Sequence, residues 1–365
     1  MKILVTGSNG FLGKNLITHL NENNNYNILH FERGDSLTKF IPKADFIFHF
    51  AGENRPINSI DFEKNNASFT KSLCRLVKKS NKHIPIVFAS STQADLDNLY
   101  GKSKLSAEKS LEKLSLETGN PVYIYRLPSI FGKWCKPNYN SVVSTFCNNI
   151  LNDFPIRIDD ESLILKLIHI DYLIADFLKV FSSDFKGFSK VDIKPQYEVS
   201  LGKLASLLYS FKEGRDNLII KDVGVGLIRD LYSTYISFLT PNLFVYDLPS
   251  YEDERGIFVE MLKTSHSGQF SYFTAHPGIT RGGHFHHTKT EKFLVIKGKA
   301  RFKFKNIISK ESYELISSGA RPQVVETVPG WSHDITNIGD DEMIVMLWAN
   351  EIYNHDFPDT ITHEV

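Results

Sequence analysis

Tyr100 and Lys104 are the two side chains of this sequence best placed to move a proton, because they lie four residues apart. On a helix these positions share a face, so the lysine ammonium can lie beside the phenol. Tyrosine ordinarily has a pKa near ~10, and a neighbouring cation favours its ionised form. The pair therefore predicts an acid or base that works near neutral pH. The alternative is coincidence, since 15 Tyr in a lysine-rich chain give about one such spacing by chance.

Hydroxyl side chains precede this pair at the end of a predicted strand. The apolar run 84–91 predicts a buried strand that ends in Ser90 and Ser91. Open α/β sheets bind their ligands at the carboxyl ends of their strands. A helix is predicted over about 102–117, after this strand. Ser91 is a candidate catalytic residue, and Thr92 is a candidate substrate contact.

A second group of side chains could bind a metal ion. His284 and His286 lie two apart on a predicted strand and share a face, and Glu291 returns beside them after a short turn. A later imidazole, His333, completes the group. Three His and one Glu suit Zn²⁺ or another divalent transition metal. The alternative is a metal-free base site.

The first residues of the chain predict a dinucleotide-binding turn. A strand over 2–6 leads into Gly7-x-x-Gly10-x-x-Gly13 and then into a helical pattern. Glycines let the backbone approach a pyrophosphate, and the helix start attracts its charge. A third strand, over 45–51, ends in small residues that could pass beneath the cofactor. The candidate contacts are Gly7, Asn9, Gly10, Phe11, Leu12, Gly13, Ala51 and Gly52.

The second predicted strand, over about 27–31, bears on the choice of cofactor. It is followed by Glu32 and Arg33. An acid at this point prefers a free ribose hydroxyl, whereas an arginine accommodates a 2′-phosphate. We predict NADPH, bound through Arg33. His49, inside the apolar third strand, is interpreted as a core residue.

The order of predicted elements indicates the fold class. Strands alternate with helices over about 1–240, which predicts a Rossmann-type doubly wound parallel sheet. A Pro- and Asp-rich segment over 236–256 marks a junction. Short strands with glycine turns follow, which predict an all-β jelly-roll barrel. We therefore predict domains 1–243 and 244–365.

Composition excludes several partners. The 42 basic and 42 acidic side chains balance, which gives no general attraction to nucleic acid or to a membrane surface. No apolar run predicts a membrane span, and the chain starts directly in a strand, so we expect a cytoplasmic protein. The three scattered cysteines predict neither disulfides nor a cysteine metal site.

A polar and aromatic loop after Gly132 could cover a substrate, and Lys133 and Asn140 are its candidate contacts.

These motifs together resemble the extended short-chain dehydrogenase/reductases that act on nucleotide sugars. The resemblance implies that Tyr100 donates a proton, that Lys104 binds the nicotinamide ribose, and that Ser91 hydrogen-bonds the substrate oxygen. Two departures are the short gap between Ser91 and Tyr100, and Ser129 where such enzymes often carry Asn. The motifs are Gly7-x-x-Gly10-x-x-Gly13, His49-Phe-Ala-Gly52, Asn66-Ala-Ser-Phe-Thr70, Ser90-Ser91, Tyr100-x-x-x-Lys104, Arg126-Leu-Pro and Ile168-His169-Ile-Asp171.

The second half of the chain resembles the cupins. The spacing His284-x-His286-x₄-Glu291, followed by Pro329-Gly-x₂-His333-x₃-Asn337, is similar to the two cupin motifs. The run Arg281-Gly-x-His284 is also similar to the keto-sugar 3,5-epimerases. In that branch the histidine that matches His284 is a base, which competes with its use as a metal ligand.

A reductase joined to such a cupin resembles the family of bifunctional capsular-polysaccharide enzymes. That family implies inversion of carbon 3 of a UDP-2-acetamido-2,6-dideoxy-4-hexulose, then reduction of its carbon 4 ketone by NADPH to the L-talose sugar, in a homodimer. Two alternatives remain open from the residues. One is a redox-neutral epimerase or dehydratase that retains NAD⁺. The other is a plain reductase whose cupin serves only for dimerisation or ligand binding.

Overall fold

The computed structural model describes residues 1–22, 25–183 and 186–365. Their contacts divide them into two units. The first comprises Met1–Leu208 and Asp230–Leu239, and the second comprises Tyr209–Arg229 and Thr240–Val365. The predicted domains differ from these units in the placement of 209–229 and 240–243. The boundary at 243 stays a prediction.

The first part of the chain alternates between strands and helices. A π-helical turn, Glu63–Ser68, joins α2 to α3. The elements in chain order are β1 (Lys2–Thr6), α1 (Phe11–Glu22), β2 (Asn27–Phe31), β3 (Phe46–His49), α2 (Ile60–Phe62), α3 (Phe69–Ser80), β4 (Ile86–Ser91), α4 (Leu99–Thr118), β5 (Val122–Leu127), β6 (Ser129–Phe131), α5 (Val142–Leu151), β7 (Ile164–His169), α6 (Ile170–Lys179), β8 (Phe188–Val191), β9 (Tyr197–Ser200), α7 (Leu201–Asn217), β10 (Ile219–Ile220) and α8 (Gly226–Ile236).

A six-stranded parallel sheet forms the centre of the first unit, in the order β2-β1-β3-β4-β5-β8. Side chains alternate between its faces, so Ile3 and Val5 enter one apolar cluster and Leu4 enters the other. A parallel sheet needs both faces covered, which explains why its strands are apolar throughout. The predicted doubly wound α/β fold is confirmed.

His49 ends β3 inside this core and is fully buried. Its two ring nitrogens lie 2.7 Å from the Thr6 hydroxyl and 2.8 Å from the Thr70 hydroxyl. Burial, and then the charge of Lys104, lower the pKa of His49 to about 3. The ring is therefore a neutral, fully hydrogen-bonded core residue, as its sequence context predicted.

The remaining elements are short strands. They form a sheet in the order β10-β12-β13-β20-β15-β18, with β11 beside β12, and a second sheet in the order β17-β16-β19-β14-β21. The strands are β11 (Ser250–Asp253), β12 (Gly256–Thr264), β13 (Gly268–Ala275), β14 (Thr280–Phe285), β15 (Glu291–Lys297), β16 (Lys299–Asn306), β17 (Ser312–Ser318), β18 (Val324–Glu326), β19 (Trp331–Asn337), β20 (Met343–Ala349) and β21 (Ile361–Thr362).

One apolar cluster joins these two sheets. Phe273 and Phe293 enter it from the first sheet, and Phe302 and Ile335 enter it from the second. Every second residue of β16 is buried, and the residues between are basic, as expected for a strand with one wet face. The predicted all-β cupin barrel is confirmed. Across the described ranges, no helix combines the length and the apolar character that a membrane span requires.

Candidate active site and metal centre

The turn between β1 and α1 is packed too tightly for side chains. Gly7 has φ +72°, and a Cβ there would lie 2.8 Å from the Ala51 nitrogen. A Cβ at Gly13 would lie 2.3 Å from the Gly7 carbonyl oxygen. The turn therefore presents bare backbone at the start of α1, where first-turn N–H groups lack helical acceptors. This arrangement fits the pyrophosphate of a dinucleotide.

The start of α4 lies against the turn that follows β4. Asn98 caps the helix, its side chain accepting from the Gly101 N–H at 2.7 Å. A Cβ at Gly101 would lie only 2.1 Å from the Gln93 carbonyl oxygen, so glycine permits this close approach. Tyr100 is thereby brought to the cavity that Ser91 also lines.

The phenol of Tyr100 is well protonated in this setting. Burial raises the pKa of Tyr100 to about 12, although the hydrogen bond with Ser91 acts in the opposite direction. The Lys104 ammonium lies 5.9 Å from the centre of the phenol ring. The expectation that Lys104 brings the pKa of Tyr100 towards neutrality is wrong for the chain alone, because burial dominates and raises that pKa. A protonated phenol suits a proton donor better than a base.

Lys104 is a buried cation. Its ammonium donates to the Ala89 carbonyl at 2.9 Å and lies 5.0 Å from the centre of the Phe88 ring. Burial lowers the pKa of Lys104 to about 8, and the negative charge of Glu108 opposes that effect. With a pKa of about 8, Lys104 stays mostly protonated near pH 7, but its charged form is much less favoured than in water.

Sequence reasoning missed the group that supplies this negative charge. Glu108 is 2% exposed and lies one turn after Lys104 on α4. Arg126 binds both of its carboxylate oxygens, through Nε at 3.0 and 3.1 Å and through a terminal nitrogen at 2.7 Å. Ser90 also donates to the carboxylate. The sequence did offer one signal for Glu108, because it lies four residues after Lys104 and so shares a helix face with it.

Asn66 was also not assigned a site role, although its motif was noted. It lies on the π-helical turn, a feature that often marks functional sites. Its amide accepts from the Glu53 N–H at 2.7 Å and donates to the Glu53 carbonyl and to Ser103, at 3.0 and 2.9 Å. The side chain thus fixes the backbone after β3 against α4.

A cavity of about 650 Å³ joins the glycine turn to Ser91, Tyr100 and Lys104. The described residues that line it include the cations Lys14, Arg55, Lys104 and Lys136, and no carboxylate. This balance favours an anionic ligand. Other lining residues that sequence reasoning missed are Gln93, Trp134 and Tyr139.

The structure separates the predicted substrate contacts. Asn140 lines the cavity, whereas Thr92 and Lys133 are not among its lining residues. The Lys133 ammonium instead forms an ion pair with Asp171 at 2.6 Å, because the two meet across the start of α6. The same ammonium lies 5.4 Å from the centre of the Trp134 ring, and Trp134 does line the cavity.

Arg33 lies outside the lining, as do Gly13 and Ala51. The Arg33 side chain is 87% exposed and pairs with Glu53 at 2.9 Å. Its neighbour Glu32 accepts from the Asn9 amide at 2.9 Å. Both residues that could contact the adenosine ribose, the acidic Glu32 and the basic Arg33, are thus present after β2. The preference for NADPH stays a prediction.

The four predicted metal ligands come together in the second unit. One ligand atom from each of His284, His286, Glu291 and His333 lies within 4.8 Å of all the others. The register of β14 and β19 places His284 opposite His333. His286 follows at the end of β14, and Glu291 begins β15.

The donor set fits a cation. The Nδ1 atom of His286 faces the Asp359 carbonyl, which can only accept, so in the neutral ring Nε2 carries the lone pair. That lone pair lies 3.2 Å from the Glu291 carboxylate, itself an acceptor. Both nitrogens of His333 are buried without a well-formed hydrogen bond among the described residues, although Nε2 is 3.4 Å from Glu291. A cation would satisfy all three groups at once.

Glu291 is held ionised. Burial opposes its ionisation, but His286, His333 and the Lys289 ammonium, 2.9 Å away, outweigh burial and keep the pKa of Glu291 well below its usual range. An ionised carboxylate beside three imidazoles is a suitable donor set for a divalent ion.

His284 is the one member of the four that is only half-buried. Burial, and then the neighbouring His333, lower the pKa of His284 to about 4. Its ring is therefore neutral near pH 7 and offers a lone pair, either to a metal or to a proton. The geometry is compatible with both of the roles that compete for this residue.

Comparison with known proteins defines the class. Residues 3–175 match the NAD dependent epimerase/dehydratase family, and residues 251–361 match the polysaccharide biosynthesis C-terminal domain. A UDP-glucuronic acid 4-epimerase from Bacillus cereus, in complex with NAD, has a TM-score of 0.55 at 18% identity, over 65% of this chain and 96% of that one. That likeness shows the fold of the first part alone.

Two relatives cover the whole chain. The sequence is 52% identical over 363 residues to UDP-2-acetamido-2,6-beta-L-arabino-hexul-4-ose reductase of Pseudomonas aeruginosa, covering 99% of this chain and 98% of that one. The crystal structure of the capsular polysaccharide assembling protein CapF from Staphylococcus aureus is 38% identical, with a TM-score of 0.91 over 100% of both chains. The protein belongs to the family of the Pseudomonas reductase. Membership implies a nicotinamide cofactor, which the glycine turn and its cavity fit.

The buried ammonium of Lys104 predicts an unusual dependence of stability on pH. Burial lowers its pKa from 10.5 to about 8. Between these values the unfolded chain holds a proton that the folded chain has lost, so this residue makes stability rise with pH. The free energy of unfolding of Lys104→Met should therefore be higher than that of wild type near pH 7, by on the order of 3 kcal/mol. This difference should disappear towards about pH 10, as the lysine becomes neutral in both states.

Urea unfolding of both proteins across this pH range measures the difference. Lys109→Met, on an exposed position of the same helix, is the control and should give the wild-type slope. A constant difference between Lys104→Met and wild type at every pH would contradict the lowered pKa of Lys104.

Proposed function

We propose that the protein is a bifunctional nucleotide-sugar enzyme. Its cupin inverts carbon 3 of a UDP-2-acetamido-2,6-dideoxy-4-hexulose, and its first domain reduces the carbon 4 ketone to the L-talose sugar, for capsular or O-antigen polysaccharide. The observation that carries the proposal is that Ser91, Tyr100 and Lys104 line one cavity together with the glycine turn. The name of the Pseudomonas relative supports the substrate class. The predicted homodimer and its cytoplasmic location stay predictions.

In the reduction, a bound reduced nicotinamide supplies the hydride. Ser91 donates a hydrogen bond to the ketone oxygen, and Tyr100 gives its proton to that oxygen as negative charge develops there. The Lys104 ammonium would stabilise the phenolate that remains, and it would also bind the nicotinamide ribose. The high pKa of Tyr100 keeps the proton on the phenol until the alkoxide, a stronger base, takes it.

In the epimerisation, the carbon 4 ketone acidifies the hydrogen on carbon 3. His284 is proposed as the base that removes this proton, because it alone of the four clustered residues reaches partly into solvent. Reprotonation on the opposite face inverts the carbon. The subsequent reduction removes the ketone, so the carbon can no longer exchange and its configuration is locked.

His286, Glu291 and His333 are proposed to hold one divalent transition ion, most simply zinc, while His284 stays free to act as the base. In the alternative in which His284 is the fourth ligand, it cannot also be the base. The ion would supply positive charge beside the developing enolate, and it would satisfy the facing acceptors of the cluster. The same side chains would then serve folding as well, because metal binding energy adds to folding energy.

The cofactor prediction is a preference for NADPH through Arg33. Arg33→Ala should weaken NADPH binding by about tenfold and NADH binding far less, because only NADPH carries the 2′-phosphate. Titration calorimetry with each cofactor gives the ratio. Arg75→Ala, an exposed arginine on α3, is the control. Equal losses for both cofactors would remove Arg33 from this role.

The metal prediction is one bound divalent ion per chain. Metal analysis of the purified protein should find it, and a chelator should lower both the melting temperature and the exchange of the carbon 3 hydrogen. His286→Ala should lose the ion, whereas the exposed neighbour His287→Ala should keep it. A fully active, metal-free preparation would make the cluster a base site instead.

The division of labour tests the proposed function as a whole. Tyr100→Phe removes the proton donor, so NADPH oxidation should fall by at least ~10² while solvent deuterium still enters carbon 3. His284→Asn should lose deuterium entry while NADPH still binds, and His287→Asn should behave like wild type. Mass spectrometry and NADPH absorbance on the same UDP-linked keto sugar provide both readouts.

Each alternative function has its own signature in this experiment. A redox-neutral enzyme that retains NAD⁺ would convert the sugar without consuming NADPH. A plain reductase would consume NADPH, yet deuterium would never enter carbon 3. If the Tyr100 variant also loses exchange, or the His284 variant keeps it, the assignment of two separate sites is wrong.

A further inference from the structure

The loop between β14 and β15 is held by one carboxylate near the end of the chain. Asp359 accepts from the backbone N–H groups of His287, Thr288 and Lys289, at 2.8, 2.7 and 2.8 Å. It also accepts from the Thr288 hydroxyl at 3.1 Å. Three successive N–H groups converge on this side chain, so the path of the loop from His286 to Glu291 depends on it.

The backbone of the same residue acts directly on a cluster histidine. The Asp359 carbonyl accepts from Nδ1 of His286, which fixes both the orientation and the tautomer of that ring. Histidines that bind metals commonly donate their other N–H to such a partner, and this raises their basicity as ligands. Asp359 therefore orients His286 through its carbonyl and the following loop through its carboxylate.

The residues after Asp359 attach to the other strands that carry the cluster. Thr362 of β21 pairs with His284 of β14, and the His363 N–H donates to the Gly283 carbonyl at 2.9 Å. The His363 carbonyl accepts from Ser332, the residue before His333, at 2.9 Å. Segment 359–363 thus contacts residues next to three of the four clustered side chains, twice through backbone and once through the Ser332 hydroxyl.

We propose that segment 359–363, anchored by Asp359, is a positioning element of the metal centre and that the affinity for the ion depends on it. The inference rests on the proposed metal site and goes beyond it, because none of these residues is itself a ligand. Without Asp359, the three loop N–H groups lose their acceptor and the loop can move away. His286 and Glu291 would then no longer meet at a common point.

The test measures metal affinity in the full-length protein. Zn²⁺ binding is followed by competition with a chromophoric chelator, and melting temperatures are recorded with and without Zn²⁺. Asp359→Ala should weaken Zn²⁺ binding by about 10- to 100-fold, and Asp359→Asn, which keeps one acceptor oxygen, should lose less. The exposed neighbour Asp356→Ala is the matched control and should bind like wild type.

The Zn²⁺ affinity of the variants shows whether Asp359 positions the metal ligands or only stabilises the fold. If Asp359→Ala lowers both melting temperatures equally and leaves Zn²⁺ affinity unchanged, the proposal is overturned. If that variant does not fold, Asp359→Asn decides in the same way, because it replaces one oxygen only. If wild type itself binds no Zn²⁺, the metal centre and this inference both fall. NADPH binding, which uses the first unit, should be unchanged in every variant, so the outcome is independent of the reductase assignment.

Discussion

The buried ammonium of Lys104 is the constraint on which the first site depends. An unpaired cation inside a protein is costly, and here it is balanced by one carbonyl hydrogen bond and by the charge of Glu108. Glu108 is in turn held by an ion pair with Arg126 on the neighbouring strand β5. Helix α4 therefore cannot shift against the sheet without breaking this buried pair. Tyr100, on the same helix, is carried to Ser91 as a consequence.

The second site follows the opposite electrostatic arrangement. Its ionised carboxylate, Glu291, faces imidazole nitrogens that offer lone pairs, so negative potential accumulates at a buried point. The buried Lys289 ammonium, 2.9 Å from Glu291, offsets part of this negative potential, and a divalent ion among the four ligands would offset more of it. The ligands stay close together despite this potential, because backbone hydrogen bonds join strand β14 to β19 and to β21.

Local sequence patterns predicted the repeating parts of the molecule well. Alternation of strands and helices identified the parallel sheet, and the histidine spacing identified all four residues that meet in the barrel. Residues such as Glu108, Asn66 and Asp359 escaped notice because each acts on a partner distant in sequence. Asp359 lies about 70 positions from the loop that it holds, and no local pattern marks such a pairing.

The sequence by itself determined the two fold classes and the identity of the reactive side chains, because strand periodicity, glycine turns and short spacings are local properties. Tertiary structure decided the protonation of Tyr100, since the burial that raises its pKa arises only when α4 packs on the sheet. It also decided that Lys133 pairs with Asp171 rather than facing the cavity. Burial and long-range pairing depend on how distant segments meet, and that geometry exists only in the folded chain.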